Sequence, residues 1–197
     1  HVKHVLKGHE KRVSFIAFHP DLHEAATSSY DGNLYIWNVE NGEKVSELSG
    51  HRDRVNSVKY SKDGKRLISA SNDKTAIIWD AISGESLFVL EGHTHKVRSA
   101  DLSSDGKLAA TCSYDNQVKI WDANTGKLKK NLNGHQDWAT SVSFSPDGKK
   151  LVSTGIDYSA RVWNVSTGAQ VAIFDGHTDR VNSAVYSEDG LSLLTAS

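Results

Sequence analysis

Methionine is absent from this 197-residue chain, cysteine occurs once and proline twice. A chain with no methionine that opens on His1 reads as an excerpt of something longer. The single Cys112 excludes an internal disulfide, so a reducing compartment is expected, cytoplasm or nucleus. No apolar run approaches the ~20 residues of a membrane helix, and no leader or transit segment is visible, so a membrane partner is not expected. No excess of either charge exists: 23 Lys and Arg stand against 24 Asp and Glu. That balance removes any global pull toward nucleic acid or anionic lipid, and a charged binding surface must be local. Phosphate-cradling glycine fingerprints are missing too, which speaks against a nucleotide cofactor. What remains, 38% hydrophobic and 24% charged residues, suits a chain that builds a packed core.

Repetition organises that core. Gly-His occurs at Gly8-His9, Gly50-His51, Gly92-His93, Gly134-His135 and Gly176-His177, every step 42 residues. Trp37, Trp79, Trp121 and Trp163 keep the same spacing, as do the aspartates Asp31, Asp73, Asp115 and Asp157. Short β-rich runs such as "VNSVKY" (55–60), "VNSAVY" (181–186), "AIIW" (76–79) and "VKIW" (118–121) are separated by Asp-Gly, Ser-Gly or Thr-Gly turns. Pro20 and Pro146 fall in turns, where a missing N–H costs nothing. Four short strands per period predict a four-stranded antiparallel sheet repeated along the chain, and sheets of that size bury their faces by packing on one another radially.

One constellation within the repeat invites a catalytic reading. His9, Thr27 and Asp31 supply the residue types of a nucleophilic triad. The same types return as His51/Ser69/Asp73, His93/Thr111/Asp115 and His135/Ser153/Asp157, each followed by a Trp. An enzyme needs one assembled site and not four equivalent ones, so a repeated structural network is expected and no catalytic residue is assigned. Metal chemistry has a weaker basis: His93 and His95 form the only close histidine pair, without Cys or acidic partners at ligand spacing.

The Gly-His pairs, the Trp-Asn and Trp-Asp pairs at 37–38, 79–80, 121–122 and 163–164, and the intervening aspartates make the whole chain resemble the WD-repeat family. The resemblance implies an all-β propeller of 42-residue repeats, with complete repeats at 8–49, 50–91, 92–133 and 134–175 and a partial fifth at 176–197. It implies a tetrad of His, Ser or Thr, Asp and Trp in each complete repeat. Residues 1–7, with Leu6 in the column of Leu48, Leu90 and Leu132, are expected to form the outermost strand of a preceding or closing blade. Seven blades, the usual number in the family, need about 294 residues at this period, so a larger ring is expected.

The resemblance also places a surface. The residue three after each Gly-His histidine opens the innermost strand on the top face: Arg12, Arg54, Lys96, Trp138 and Arg180. The residue before each turn aspartate faces the same way: Tyr30, Asn72, Tyr114 and Ile156, and Arg98 adds a further cation. Such a basic ring with aromatic members suits acidic or phosphorylated peptides. The alternative is ordinary surface charge, with Asp53, Asp137 and Asp179 neutralising their neighbours. Two departures stand out: Leu22 replaces the glycine of the first turn, and Ala139 with Gly155 leaves a recess or a looser blade beside Trp138. The function implied is a non-enzymatic scaffold for protein partners within a larger assembly. The second reading is a regulatory or sensor domain of a multidomain protein such as a nucleotide-binding signalling ATPase. Nucleic acid is disfavoured by the balanced charge.

Overall fold

The computed structural model describes residues 4–21 and 23–197, and among them every regular element is a strand. The first sheet holds β1 (Val13–Phe18), β2 (Glu24–Ser29), β3 (Asn33–Asn38) and β4 (Lys44–Ser49). The second holds β5 (Val55–Tyr60), β6 (Arg66–Ser71), β7 (Ala76–Asp80) and β8 (Ser86–Leu90). The third holds β9 (Val97–Leu102), β10 (Leu108–Ser113), β11 (Val118–Asp122) and β12 (Leu128–Leu132). The fourth holds β13 (Ala139–Phe144), β14 (Lys150–Gly155), β15 (Ala160–Asn164) and β16 (Gln170–Phe174), and β17 (Ser183–Tyr186) with β18 (Leu193–Ala196) forms a two-stranded fifth. Strands pair with their chain neighbours, all antiparallel, as the turn signals require.

The core lies between the sheets. Ile68, Ala70, Ile78 and Leu90 of the second pack against Val97, Ala100, Ala109 and Trp121 of the third. Equivalent seams join the first sheet to the second and the third to the fourth. The cluster at the seam with the two-stranded fifth sheet is smaller, with Val152, Val162 and Ala184 buried and Ala172, Tyr186 and Leu193 packed against them. The innermost strands β1, β5, β9, β13 and β17 stand side by side in that order.

Two local devices recur. A bulge interrupts each pairing of third and fourth strand just before the Trp, at Ile36/Trp37, Ile78/Trp79, Ile120/Trp121 and Val162/Trp163, and re-aims the indole. The glycine of Gly-His makes room for that indole, since a Cβ on Gly50 would lie 2.9 Å from Trp79 Cη2 and one on Gly134 2.7 Å from Trp163 Cη2.

The strand expected over residues 1–7 is not formed by residues 4–7, and residues 1–3 lie outside the described residues, as does Leu22. His4 rests against Gly42 and bonds the Glu40 carbonyl through Nε2 at 2.7 Å. Ser46, one repeat on, rests against Gly84 in the same manner. The segment thus occupies the outer strand's place, but no third strand flanks it, and a strand without a ladder partner has nothing to bond. No space opens at Gly155: a Cβ there would come within 2.7 Å of both Asp157 Oδ1 and His135 Nδ1.

Candidate functional site

Four complete tetrads are present. His51 Nδ1 lies 2.8 Å from Asp73 Oδ2, its Nε2 2.7 Å from Ser69 Oγ, and Trp79 Nε1 donates to the same Oγ at 2.8 Å. His93, Thr111, Asp115 and Trp121 repeat this at 2.8, 2.7 and 2.9 Å. His9/Thr27/Asp31/Trp37 and His135/Ser153/Asp157/Trp163 close in the same way. A carboxylate only accepts, so the histidine proton sits on Nδ1, Nε2 accepts, and the Ser or Thr hydroxyl donates to it. The oxygen in turn accepts the indole N–H, and every member is satisfied.

This is the connectivity of a nucleophilic triad, yet the oxygen is sealed: Ser69, Thr111 and Ser153 are 0% exposed. The network instead ties three segments together: the link entering the innermost strand (His51), the second strand (Ser69) and the third (Trp79). Backbone N–H groups of Arg52, Thr94 and Gln136 add bonds of 2.9–3.0 Å to the same carboxylates.

Burial pushes these carboxyls up, but the hydrogen bond from the histidine and those from backbone N–H groups outweigh it. Asp115 is held down at about 2, and Asp73 and Asp157 lie well below the usual carboxylate range. A depressed carboxyl contributes stability that is present above its unfolded value, near ~3.9, and lost as pH falls toward the folded one. The urea midpoint should therefore fall steeply between about pH 4 and pH 2. Asp115→Asn should flatten part of that slope, and a variant as steep as the parent would remove the tetrad from the explanation.

The top-face residues fall into two interleaved columns. Arg12, Arg54, Lys96, Trp138 and Arg180 are exposed, and Tyr30, Asn72, Tyr114 and Ile156 half-buried. Within a sheet the columns meet through the backbone, Tyr30, Asn72, Tyr114 and Ile156 N–H donating to the carbonyls of Arg12, Arg54, Lys96 and Trp138 at 2.9–3.0 Å. Between sheets they meet through side chains. The Arg54 guanidinium lies 4.8 Å from the Tyr30 ring centroid of the preceding sheet, where Arg12, from Tyr30's own sheet, approaches at 5.7 Å. Trp138 stacks on Tyr114 at 4.3 Å and 9°. His95, read only as half of a weak metal pair, stands 6.0 Å from Tyr114 and 6.3 Å from Trp138, while His93 is committed to its tetrad.

Asp53, Asp137 and Asp179 do not ion-pair with the top-face cations; each accepts the N–H of the next residue at 2.7 Å. Among the described residues the ion pairs of Lys and Arg involve Lys44, Lys59, Lys107, Lys129 and Arg161, and none involves Arg12, Arg54, Lys96 or Arg180. Arg98 sits apart from the ring, on β9 and lining the space between the innermost strands. Two buried charges escaped the sequence reading. Lys119 Nζ donates to Gln117 and Asn131 at 2.7 and 2.6 Å, and Arg161 reaches Asp157, Ser159 and Gln170.

Serial four-stranded sheets, each locked by a His–Ser/Thr–Asp–Trp tetrad and presenting a shared rim, define a class of repeat protein built for interaction. The family model of the WD domain, G-beta repeat, matches five times, over residues 1–38, 42–80, 84–122, 126–164 and 168–197. The chain belongs to the WD-repeat family. The matched units begin at the outer-strand segment, so the three over 42–80, 84–122 and 126–164 each take the fourth strand of one sheet and the first three of the next. Repeats of this family generally mediate protein–protein interaction and are generally non-enzymatic. No individual curated protein gave a match.

Proposed function

We propose that this protein is an interaction scaffold that binds acidic or phosphorylated protein segments on its top face, as part of a closed ring of seven blades within a larger assembly. The observation that carries the reading is a rim of cations without carboxylate partners, set beside aromatic rings. Arg12 and Arg54 converge on Tyr30, and stacking on an aromatic face orients a guanidinium while leaving its N–H fork open to an oxyanion. Trp138 and Tyr114 supply the flat, half-dry surface on which binding energy concentrates.

The test is affinity capture from cell extract with the full native propeller beside its Arg54→Glu/Arg180→Glu variant, followed by titration of the captured partner's acidic segment. Charge reversal at two contacts should weaken that segment by about tenfold or more. Equal affinity for both proteins would leave the arginines as plain surface charge and move binding to another face.

A further inference from the structure

One step inside the rim, the side chains follow a rule that one blade breaks. Ser14 Oγ donates to the Val55 carbonyl at 2.6 Å and Asn56 Nδ2 to the Val97 carbonyl at 2.8 Å, while Thr140 Oγ1 donates to the Val181 carbonyl. Each bond spans 41 residues and runs from an innermost strand to the start of the next. A small polar side chain at this place therefore latches neighbouring blades. Each also meets its own blade, at Ser28, Asn72 and Thr154.

The 42-residue step puts Arg98 in this column. Its guanidinium does not take the corresponding carbonyl, that of Ala139; Nη1 turns back to the Asn56 carbonyl at 3.5 Å, the limit of a hydrogen bond. In its own blade the residue matching Ser28 and Thr154 is Cys112, fully buried, with a thiol pushed up to about 12 by burial and so inert. The seam between third and fourth blades lacks its latch, and a cation projects in its place.

That cation is available. Arg98 is exposed and lines a cavity of about 210 Å³ with Ser14, Asn56, Ser57 and Thr140. Lys59 lines it too, but is held by Asp101 at 3.2 Å, and Asp101 is further fixed by the Phe144 N–H at 2.9 Å. Ser57, 5% exposed, has a hydroxyl with no hydrogen-bond partner. Lys96 and Trp138 precede Arg98 and Thr140 by two residues, at the entries to β9 and β13, and Trp138 carries the stack on Tyr114.

We propose that Arg98 is an anion-binding residue inside the channel, taking the carboxylate or phosphate monoester of a side chain that a bound protein segment inserts past Trp138. The proposal rests on the top-face reading and deepens it. A planar fork of five N–H donors, one of them weakly used, fits a bidentate oxyanion. A latch residue here would stabilise the seam; arginine forgoes that bond, the pattern of a site kept for binding at a cost in stability.

The decisive variant is Arg98→Thr, which restores the chemistry of Ser14 and Thr140 and removes the cation. The probes are three pools of short peptides with random flanks and a central phosphoserine, glutamate or glutamine, read by retention on immobilised protein. The parent should hold the phosphoserine and glutamate pools about tenfold better than the glutamine pool, the effect of one charge-assisted bond. Arg98→Thr should lose that preference while melting no lower than the parent, and Arg98→Lys should keep part of it. If Arg98→Thr keeps the preference and Arg54→Glu/Arg180→Glu loses it, the rim reading stands and the channel site is refuted. Equal retention of all three pools by the parent refutes both. A lower melting temperature for Arg98→Thr would make Arg98 a structural residue and overturn the proposal from the other side.

Discussion

Trp121→Ala should cost about 3–5 kcal/mol of stability, the largest loss of any single truncation in the third blade. The indole is 1% exposed and packs in the seam between second and third blades with Ile68, Ile78, Val97 and Ala109. Its N–H donates to Thr111 Oγ1 at 2.9 Å, and a Cβ on Gly92 would meet its edge at 3.4 Å. Truncation removes a large apolar area, opens a cavity between the second and third sheets, and takes a donor from a buried hydroxyl. At roughly 2–4 °C per kcal/mol for a chain of this size, the melting temperature should fall by roughly 6–20 °C. Trp121→Phe keeps most of the volume and loses the donor, so about 1–2 kcal/mol is expected. Ile82→Ala, at a side chain 84% exposed, should move stability by less than about 0.5 kcal/mol. Urea unfolding followed by far-ultraviolet circular dichroism measures all three. A loss below about 1 kcal/mol for Trp121→Ala would mean that the seams are not where the core lies.

That Trp121 belongs to a repeated structural column was readable before any coordinate, because the information sits in a fixed spacing. A 42-residue step that never slips aligns the Gly, His, Ser or Thr, Asp and Trp columns, and the family resemblance implied their linkage; that Gly50 lies against Trp79 and Gly134 against Trp163 came from the structure. What escaped is whatever depends on contacts between repeats. Tyr30 and Arg54 were each assigned to the top face, but that the arginine of one blade reaches the tyrosine of the one before is set by how the sheets pack, which spacing within a repeat does not encode. Arg98 was added to the rim because it lies two residues from Lys96; the β9–β10 ladder shifts register at this point, Cys112 pairing with Ser99 and Ser113 with Val97, and Arg98 lines the space between the innermost strands. Lys119 and Arg161 were hidden in runs that close on Trp, since a charge in a β-rich run gives no sign that amide or hydroxyl groups on adjacent strands will satisfy it. Residues 4–7 show the limit of a pattern: Leu6 keeps the spacing of Leu48, Leu90 and Leu132, but a pattern predicts a strand without supplying its partner, and residues 4–7 form none.

His93→Ala and His177→Ala should differ by about 1–3 kcal/mol although they delete the same side chain from the same column. His93 bridges two groups, Asp115 at 2.8 Å and Thr111 at 2.7 Å. Removing it leaves a carboxylate whose charge is held by only the Thr94 and Gln117 N–H groups, and a 0% exposed hydroxyl with one partner instead of two. Taking the imidazole donor from a buried carboxylate is expensive because the remaining ion keeps its desolvation penalty, so about 2–4 kcal/mol is expected. His177 bonds Thr195 at 2.8 Å and, among the described residues, no aspartate, and the two-stranded sheet that carries it exposes Leu194 and Val185 at 71% and 45%. Water can reach what the truncation frees, and about 0.5–1.5 kcal/mol is expected. Urea midpoints at constant slope give both values. A double-mutant cycle of His93→Ala with Asp115→Asn then separates the pair from its surroundings, and a coupling of about 1 kcal/mol or more identifies a network acting as one unit. Equal costs at His93 and His177, with no coupling, would show each hydrogen bond of the tetrad acting alone, and the repeated constellation would then contribute packing and not cooperativity.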